Sequence, residues 1–263
     1  MRTRPLRRIT QLSTIVMLIA IPLLNRNGID ALMGSLYSLA IGPIWLTDPL
    51  SGLQVIMTTL SADATLMVSM SIPIVFAFVF GRVFCGWMCP QNALSELFDF
   101  LSRKSGFERP FRLLLTPMPR YAVLAVMLTL TLILGFPVAN LISAPGIISV
   151  QMSDYLMEGA VGLELGLIGV IIIVEFFIIR RAWCNYICPV GGFLGLFRIS
   201  STMSVFYRKE TDQCIKCGEC VKACQLGVNP MGARLYPLCH NCGDCITACR
   251  RAAGKDSPLS FRF

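Results

Sequence analysis

Two short segments of the 263-residue sequence carry eight cysteines at duplicated spacing. CIKCGECVKAC supplies Cys214, Cys217, Cys220 and Cys224, and CHNCGDCITAC supplies Cys239, Cys242, Cys245 and Cys249. Each reads Cys-x2-Cys-x2-Cys-x3-Cys. Thiolates are soft ligands, and a short loop lets three of them wrap one iron–sulfur cubane. A zinc ribbon would need paired Cys-x2-Cys units without the third and fourth thiols at these offsets. Gly218 and Gly243 follow the second cysteine of each segment. A residue without Cβ lets the chain turn tightly there and aim backbone N–H groups at sulfur.

Four further cysteines form a second duplicated pattern. GRVFCGWMCPQNALSELF (81–98) aligns with RRAWCNYICPVGGFLGLF (180–197) at an offset of 99 residues. Cys85 meets Cys184, Cys89 meets Cys188, Pro90 meets Pro189 and Arg82 meets Arg181. A spacing of four predicts both thiols of a pair on one helix face, one turn apart, with the proline ending the helix. Two such pairs at one place supply four soft ligands. An iron–sulfur cluster, another metal, a redox-active thiol pair and four inert packed cysteines all fit this pattern.

The elements that must hold these thiols are apolar. Of all residues, 55% are apolar and only 14% charged, too few charges for an ordinary soluble domain. Apolar runs near Ile9–Leu24, Ala64–Phe80, Tyr121–Ala139 and Val161–Ile179 predict four transmembrane helices. MRTRPLRR before the first run resembles a signal-peptide flank, but Ile21, Pro22 and Leu23 after Ala20 lack the small-residue cleavage pattern, so an uncleaved anchor is expected. Arg7–Arg8 reads as part of that basic flank. The expected architecture is an all-α membrane domain over residues 1–200, built as two parallel helix-pair repeats. A small α+β domain follows over 201–263.

Charge predicts the sides. Arg2, Arg4, Arg7 and Arg8 precede the first span, and Arg82, Arg103, Lys104, Arg109, Arg112 and Arg120 lie between the second and third. With twelve more from Arg180 onward, 22 of 23 Lys and Arg fall on one side, leaving only Arg26 opposite. Asp30, Asp48, Asp63, Asp154 and Glu158 mark the other side as weakly acidic. The positive-inside rule then sets both termini and all twelve cysteines in the cytoplasm, at the inner membrane of a bacterium. That compartment is reducing, so metal ligation is expected over disulfides. The single histidine, His240, excludes a bis-histidine haem within this chain, and no Cys-x2-Cys-His is present. His240 reads as a solvent-facing loop residue. The basic tail suits anionic lipid or an acidic electron partner. No aromatic-basic motif accompanies the charge, so nucleic acid is not an expected partner.

The C-terminal spacing resembles that of bacterial two-cluster ferredoxins, in which the fourth cysteine of each segment reaches the neighbouring cluster. That resemblance implies two 4Fe-4S clusters, one on Cys214, Cys217, Cys220 and Cys249, the other on Cys239, Cys242, Cys245 and Cys224. The usual proline after the fourth cysteine is absent; Gln225 and Arg250 stand there. With the apolar spans, the twin Cys-x3-Cys-Pro motifs and the outer segment WLTDPLSGLQ (45–54), the chain resembles the NapH family of ferredoxin-type membrane quinol dehydrogenases, with MauN a close relative. GRVFCGWMCPQ is also similar to the start of the longer NosR and CcoG polyferredoxins. The resemblance implies electron transfer between the quinol pool and a partner iron–sulfur protein or reductase, within a quinol dehydrogenase complex. The CcoG likeness implies an alternative, reduction of a metal or thiol during maturation of another enzyme.

Quinol oxidation needs an apolar cleft, a proton acceptor and a nearby redox centre. Two carboxylates are candidates. Asp48 precedes Pro49, a sequence that equally starts a helix by capping it. Glu175 lies inside the fourth apolar run, where an ionisable residue is a functional candidate. It also lies five residues from Arg180, close enough to pair with it near the interface.

Overall fold

The computed structural model describes residues 3–28, 32–106, 118–159, 161–208, 214–232, 238–254 and 257–263. Arg2, Asp30, Arg109 and Arg112, part of the charge pattern above, lie outside the described residues.

The chain opens with α1 (Thr3–Arg26), which starts through Pro5, tolerated in a first turn that lacks amide partners. Strands β1 (Leu32–Gly34), β2 (Ser38–Ile41) and β3 (Ile44–Thr47) form an antiparallel meander, with Leu32 opposite Ile41 and Ser38 opposite Thr47. This part of the chain is therefore not all-α; the 32–47 segment alternates turns and short apolar runs too brief for a helix. Asp48 then caps α2 (Pro49–Thr59). Next come α3 (Ala64–Phe80), the short α4 (Val83–Trp87) and α5 (Pro90–Lys104).

The second half repeats the order. It runs α6 (Met118–Leu134), α7 (Val138–Ile142), α8 (Ala144–Glu158), α9 (Glu164–Phe177), a π-turn at Trp183–Ile187, and α10 (Pro189–Leu194). The halves are exchanged: α8 packs on α1, and α2 packs on α6. Their shared core includes Leu50, Ala77, Leu124, Ile147, Ile171 and Phe193.

Among the described residues one helix, α1, is by itself long and apolar enough to cross a bilayer. α3 and α6 are apolar but have 17 residues each, and α9 has 14. The third and fourth runs thus yield shorter helices than expected. Gly135, at φ +69°, and Pro137 stop α6 before Ala139. All four helices carry exposed apolar stripes at helical spacing, for example Val68, Ile72 and Val75 on α3 and Val170, Ile173 and Phe177 on α9.

In the tail, β4 (Ser204–Tyr207) pairs antiparallel with β5 (Leu259–Arg262). Helices α11 (Glu219–Lys222) and α12 (Asp244–Ala253) pack together between them in sequence. Val205, Leu226, Val228, Ile246 and Leu259 form a second core.

Candidate functional site

The tail brings its eight cysteines into two rings. Cys214, Cys217, Cys220 and Cys249 line one space with Tyr207 and Met231. Cys224, Cys239, Cys242 and Cys245 line the other with Val205 and Leu226. The exchange of fourth cysteines follows from the packing of α11 against α12, which turns Cys224 and Cys249 each toward the opposite loop. Gly218 and Gly243 sit at φ +74° and +76°, immediately before those helices. Val228 N–H points at Cys224 Sγ at 3.3 Å, a donor aimed at ligand sulfur. Four thiols around each space, at the Cys-x2-Cys-x2-Cys-x3-Cys spacing, suit an iron–sulfur cluster.

The second ring is docked on the turn between α3 and α5. Arg82 Nη1 donates to Leu238 O at 3.1 Å, and Trp87 Nε1 donates to Asn241 O at 3.0 Å. Asn241 Nδ2 donates to Phe80 O and Met203 O, at 3.1 and 2.7 Å. His240 is 4% exposed, contrary to the solvent-facing position expected from its loop. Its ring and carbonyl lie against Gly86, where an added Cβ would come within 2.7 Å of His240 O and 2.9 Å of Nδ1. Burial, then Arg82, Arg181, Arg7 and Arg120, hold this imidazole neutral, far below its ordinary range. Gln225, in place of the usual proline, is buried and donates to Glu96 of α5 at 3.1 Å and to Asp244 at 2.7 Å. It is a tether between the tail and α5.

The Cys-x3-Cys pairs do not sit on one continuous helix. Gly81, at φ +66°, ends α3 early, so Cys85 rides on α4 while Cys89 is the residue before α5. Cys184 lies in the π-turn and Cys188 precedes α10. Pro90 and Pro189 open helices rather than close them, because a fixed φ and a missing N–H suit the first helical position. Each pair therefore straddles a break, with its second cysteine free to turn inward. Cys89 and Cys188 lie within electrostatic reach of each other, of Cys85 and of Cys184. Cys85 and Cys188 pack on the core of the paired halves, and Cys184 packs on the core of the tail.

Buried guanidinium groups surround these thiols. Arg120 Nη1 donates to Cys184 O at 3.3 Å, and a Cβ at Gly191 would meet Arg82 Nη2 at 2.7 Å and Cys188 Sγ at 3.6 Å. Arg181, at φ +54°, is locked by Asp99 and Asn92. Arg82, Arg120 and Arg181 are 5%, 0% and 1% exposed. Arg181 is paired with Asp99, and thiolates bound to a cluster would add negative charge beside Arg82 and Arg120, which already lower the pKa of Cys188 against the raising effect of burial.

An apolar cleft of about 330 Å³ ends at the same place. Pro73, Phe76 and Ala77 of α3 form one wall, Phe84 and Met88 beside Cys85 and Cys89 close one end, and Thr47 and Asp48 bring polar atoms to the other. Asp48 accepts from Ser51 N at 3.1 Å and Ser51 Oγ at 3.0 Å, so it caps α2 while it lines the cleft. Burial raises its pKa to about 6, against the opposing pull of the Ser51 hydrogen bonds. Ser51 passes the network on to Asn140, which Gln54 also binds.

Glu175 is elsewhere. It accepts from Ser95 Oγ and from Trp183 N, anchoring the π-turn that carries Cys184, and it is not among the residues of the cleft. Arg180 pairs with Asp99 instead, at 3.1 Å. Ser95 and Asp99, on α5, carried no motif in the sequence, and Gln225, in the turn after Cys224, was legible only as a missing proline; the burial of all three arises from distant partners.

A family model described as a 4Fe-4S binding domain matches residues 63–108 and 161–202, the two copies of the Cys-x3-Cys-Pro repeat. The methylamine utilization ferredoxin-type protein MauN of Methylorubrum extorquens is 30% identical over 224 residues, 83% of this chain and 73% of that protein. MauN of Paracoccus denitrificans is 30% identical over 187 residues, 70% and 62% of the two chains. The ferredoxin-type protein NapH of Haemophilus influenzae is 28% identical over 215 residues, 80% and 71% of the two chains. No solved structure matches.

Proposed function

Because the chain belongs to the MauN and NapH family of ferredoxin-type proteins, we propose that it is a membrane electron carrier that draws electrons from quinol and delivers them to a partner protein. Iron–sulfur electron transfer follows from the family; quinol, the number of clusters and the side of the membrane are our reading. The observation that carries it is a series of neighbouring groups from cleft to tail. The apolar cleft ends at Phe84 and Met88, the adjoining Cys85 and Cys89 lie near Cys188, Cys89 lies near Cys184, and Gly86 touches His240 in the second ring of the tail.

Bound 4Fe-4S clusters in the two rings would supply one-electron carriers, with a third centre at Cys85, Cys89, Cys184 and Cys188. The chain's residues do the rest. The α3 wall and the Phe84 and Met88 side chains receive an apolar ring and exclude water from it. Two protons and two electrons leave each quinol, and the Asp48 carboxylate is positioned to accept a proton. Arg82, Arg120 and Arg181 stabilise the added negative charge at the four thiols. Exposed Cys217, Ile215 and Lys222 beside the first ring offer the exit to an acidic partner. The apolar stripes on α1, α3, α6 and α9 support four helices in the bilayer, and the basic ends support a cytoplasmic tail.

The test is reduction of the anaerobically purified full chain by a short-chain quinol, followed by EPR. Cubane signals should grow with quinol, and the rate should rise through a limb near pH 6, because only the ionised Asp48 accepts a proton. Asp48→Asn keeps a good helix cap. It should nonetheless slow reduction by about 100-fold and abolish the limb. A chain that quinol never reduces, at any pH, overturns the reading.

A further inference from the structure

A second cleft, about 700 Å³, opens where α1, α5 and the tail meet, away from the quinol cleft. Its upper wall is cationic. Arg4, Arg7 and Arg8 come from α1, Arg103 from α5, Arg180 and Arg181 from the segment after α9, and Lys222 from the tail. Three carboxylates share it, Glu96, Asp99 and Asp244, leaving four positive charges in excess. Each carboxylate is already engaged. Asp99 holds Arg180 and Arg181, Asp244 holds Arg4, Arg7 and Gln225, and Glu96 holds Arg7, Gln11 and Gln225.

Arg7 and Arg181 are each 1% exposed, yet among the described residues Arg7 Nε and Nη1 and Arg181 Nη2 have no hydrogen-bond partner. Buried guanidinium N–H groups without acceptors are costly, and a group with several anionic oxygens satisfies them best. The lower wall has the opposite character. Leu12 and Ile15 of α1 and Leu97 and Phe100 of α5 line it, with Leu12, Leu97 and Phe100 62%, 52% and 60% exposed. Leu12 lies on the outward stripe of α1, the one helix among the described residues long enough to cross a bilayer by itself.

We propose that this cleft binds one anionic phospholipid, its phosphate between Arg7, Arg8, Arg103 and Arg181 and its acyl chains along Leu12, Leu97 and Phe100. A free phosphate would use the cationic wall only and leave the apolar one uncovered. An acidic protein segment would find exposed leucine and phenylalanine where it needs polar partners. The bound lipid would bridge α1, α5 and the tail at the point where Asp244 and Gln225 already join them.

Native mass spectrometry of the full, cluster-loaded chain in detergent tests this, with phosphatidylglycerol and phosphatidylcholine in competition. Preferential retention of phosphatidylglycerol is expected. Arg8→Gln with Arg103→Gln, both exposed positions, should weaken that retention about 30-fold while iron content stays unchanged. Phe100→Ser should weaken it as well, without altering the response to inorganic phosphate. Equal retention of the two lipids overturns the proposal, as does a double variant that retains phosphatidylglycerol like the parent chain. Displacement of the lipid by millimolar inorganic phosphate would make it a free-anion site. Tighter capture of polyglutamate than of phosphatidylglycerol would make it a protein-docking site. Either result overturns the lipid assignment.

Discussion

The two cysteine loops of the tail are copies offset by 25 residues, yet their matched positions meet different surroundings. Ile215 is 62% exposed, while its counterpart His240 is 4% exposed. Lys216 and Asn241 both adopt a left-handed backbone, at φ +52° and +54°. Only Asn241 uses that geometry to reach the α3 turn, through Phe80 O and Met203 O. Glu219 makes a surface pair with Lys222, whereas Asp244 is buried among Arg4, Arg7 and Gln225. After the fourth cysteine, Arg250 is exposed and Gln225 is buried against Glu96. One motif therefore provides an inward-facing ring and an outward-facing one. The ligand spacing sets what can be bound, and the docking sets where an electron could come from and go.

The largest expected effect comes from breaking one ring at a time. Cys217→Ser should remove the outward cluster and lower delivery to an external acceptor by more than about 100-fold, while quinol still reduces the inward cluster. Cys242→Ser should abolish both, because the inward ring stands between the proposed quinol cleft and the outward ring. Cluster EPR after quinol addition separates the two variants. An unchanged rate of outward-cluster reduction in Cys242→Ser would show that the rings are not in series.

Next come the paired acids. Asp244→Ala removes the buried carboxylate from Arg4 and Arg7, leaving Arg7 with Glu96 alone, and should cost about 3 kcal/mol. Glu219→Ala breaks an exposed pair and should cost at most about 0.5 kcal/mol. Anaerobic thermal unfolding of the two variants should therefore differ plainly; equal midpoints would mean that the tail is not held by this contact. The smallest contrast lies at the left-handed positions. Asn241→Ala loses two hydrogen bonds and a residue tolerant of that backbone, for about 2–3 kcal/mol. Lys216→Ala changes neither, and its midpoint should stay within a degree or two of the parent.

Other features were only half legible. The repeat at an offset of 99 residues matched four thiols, and Cys89 and Cys188 lie near each other with Cys85 and Cys184 beside them. Their placement on a single helix face did not hold, because Gly81 ends α3 and the prolines favour opening a new helix. Asp48 was readable as a cap or as a quinol ligand, and its position joins the cap to the wall of a cleft. Glu175 next to Arg180 suggested a local ion pair. The neighbour chosen was Asp99, 81 residues away from Arg180, and Glu175 turned to Ser95 and the Trp183 amide.

By itself the sequence determined the ligand spacings, the glycine-assisted turns and the lopsided distribution of charge. These are local matters, governed by the reach of a few bonds and by backbone conformation within a loop. Only the tertiary structure decided which ring is buried, why Gln225 replaces a proline, and that Asp48 faces the cleft leading to Cys85. Burial and desolvation depend on which distant surfaces meet, and here the decisive contacts join residues more than a hundred positions apart, as between Trp87 and Asn241.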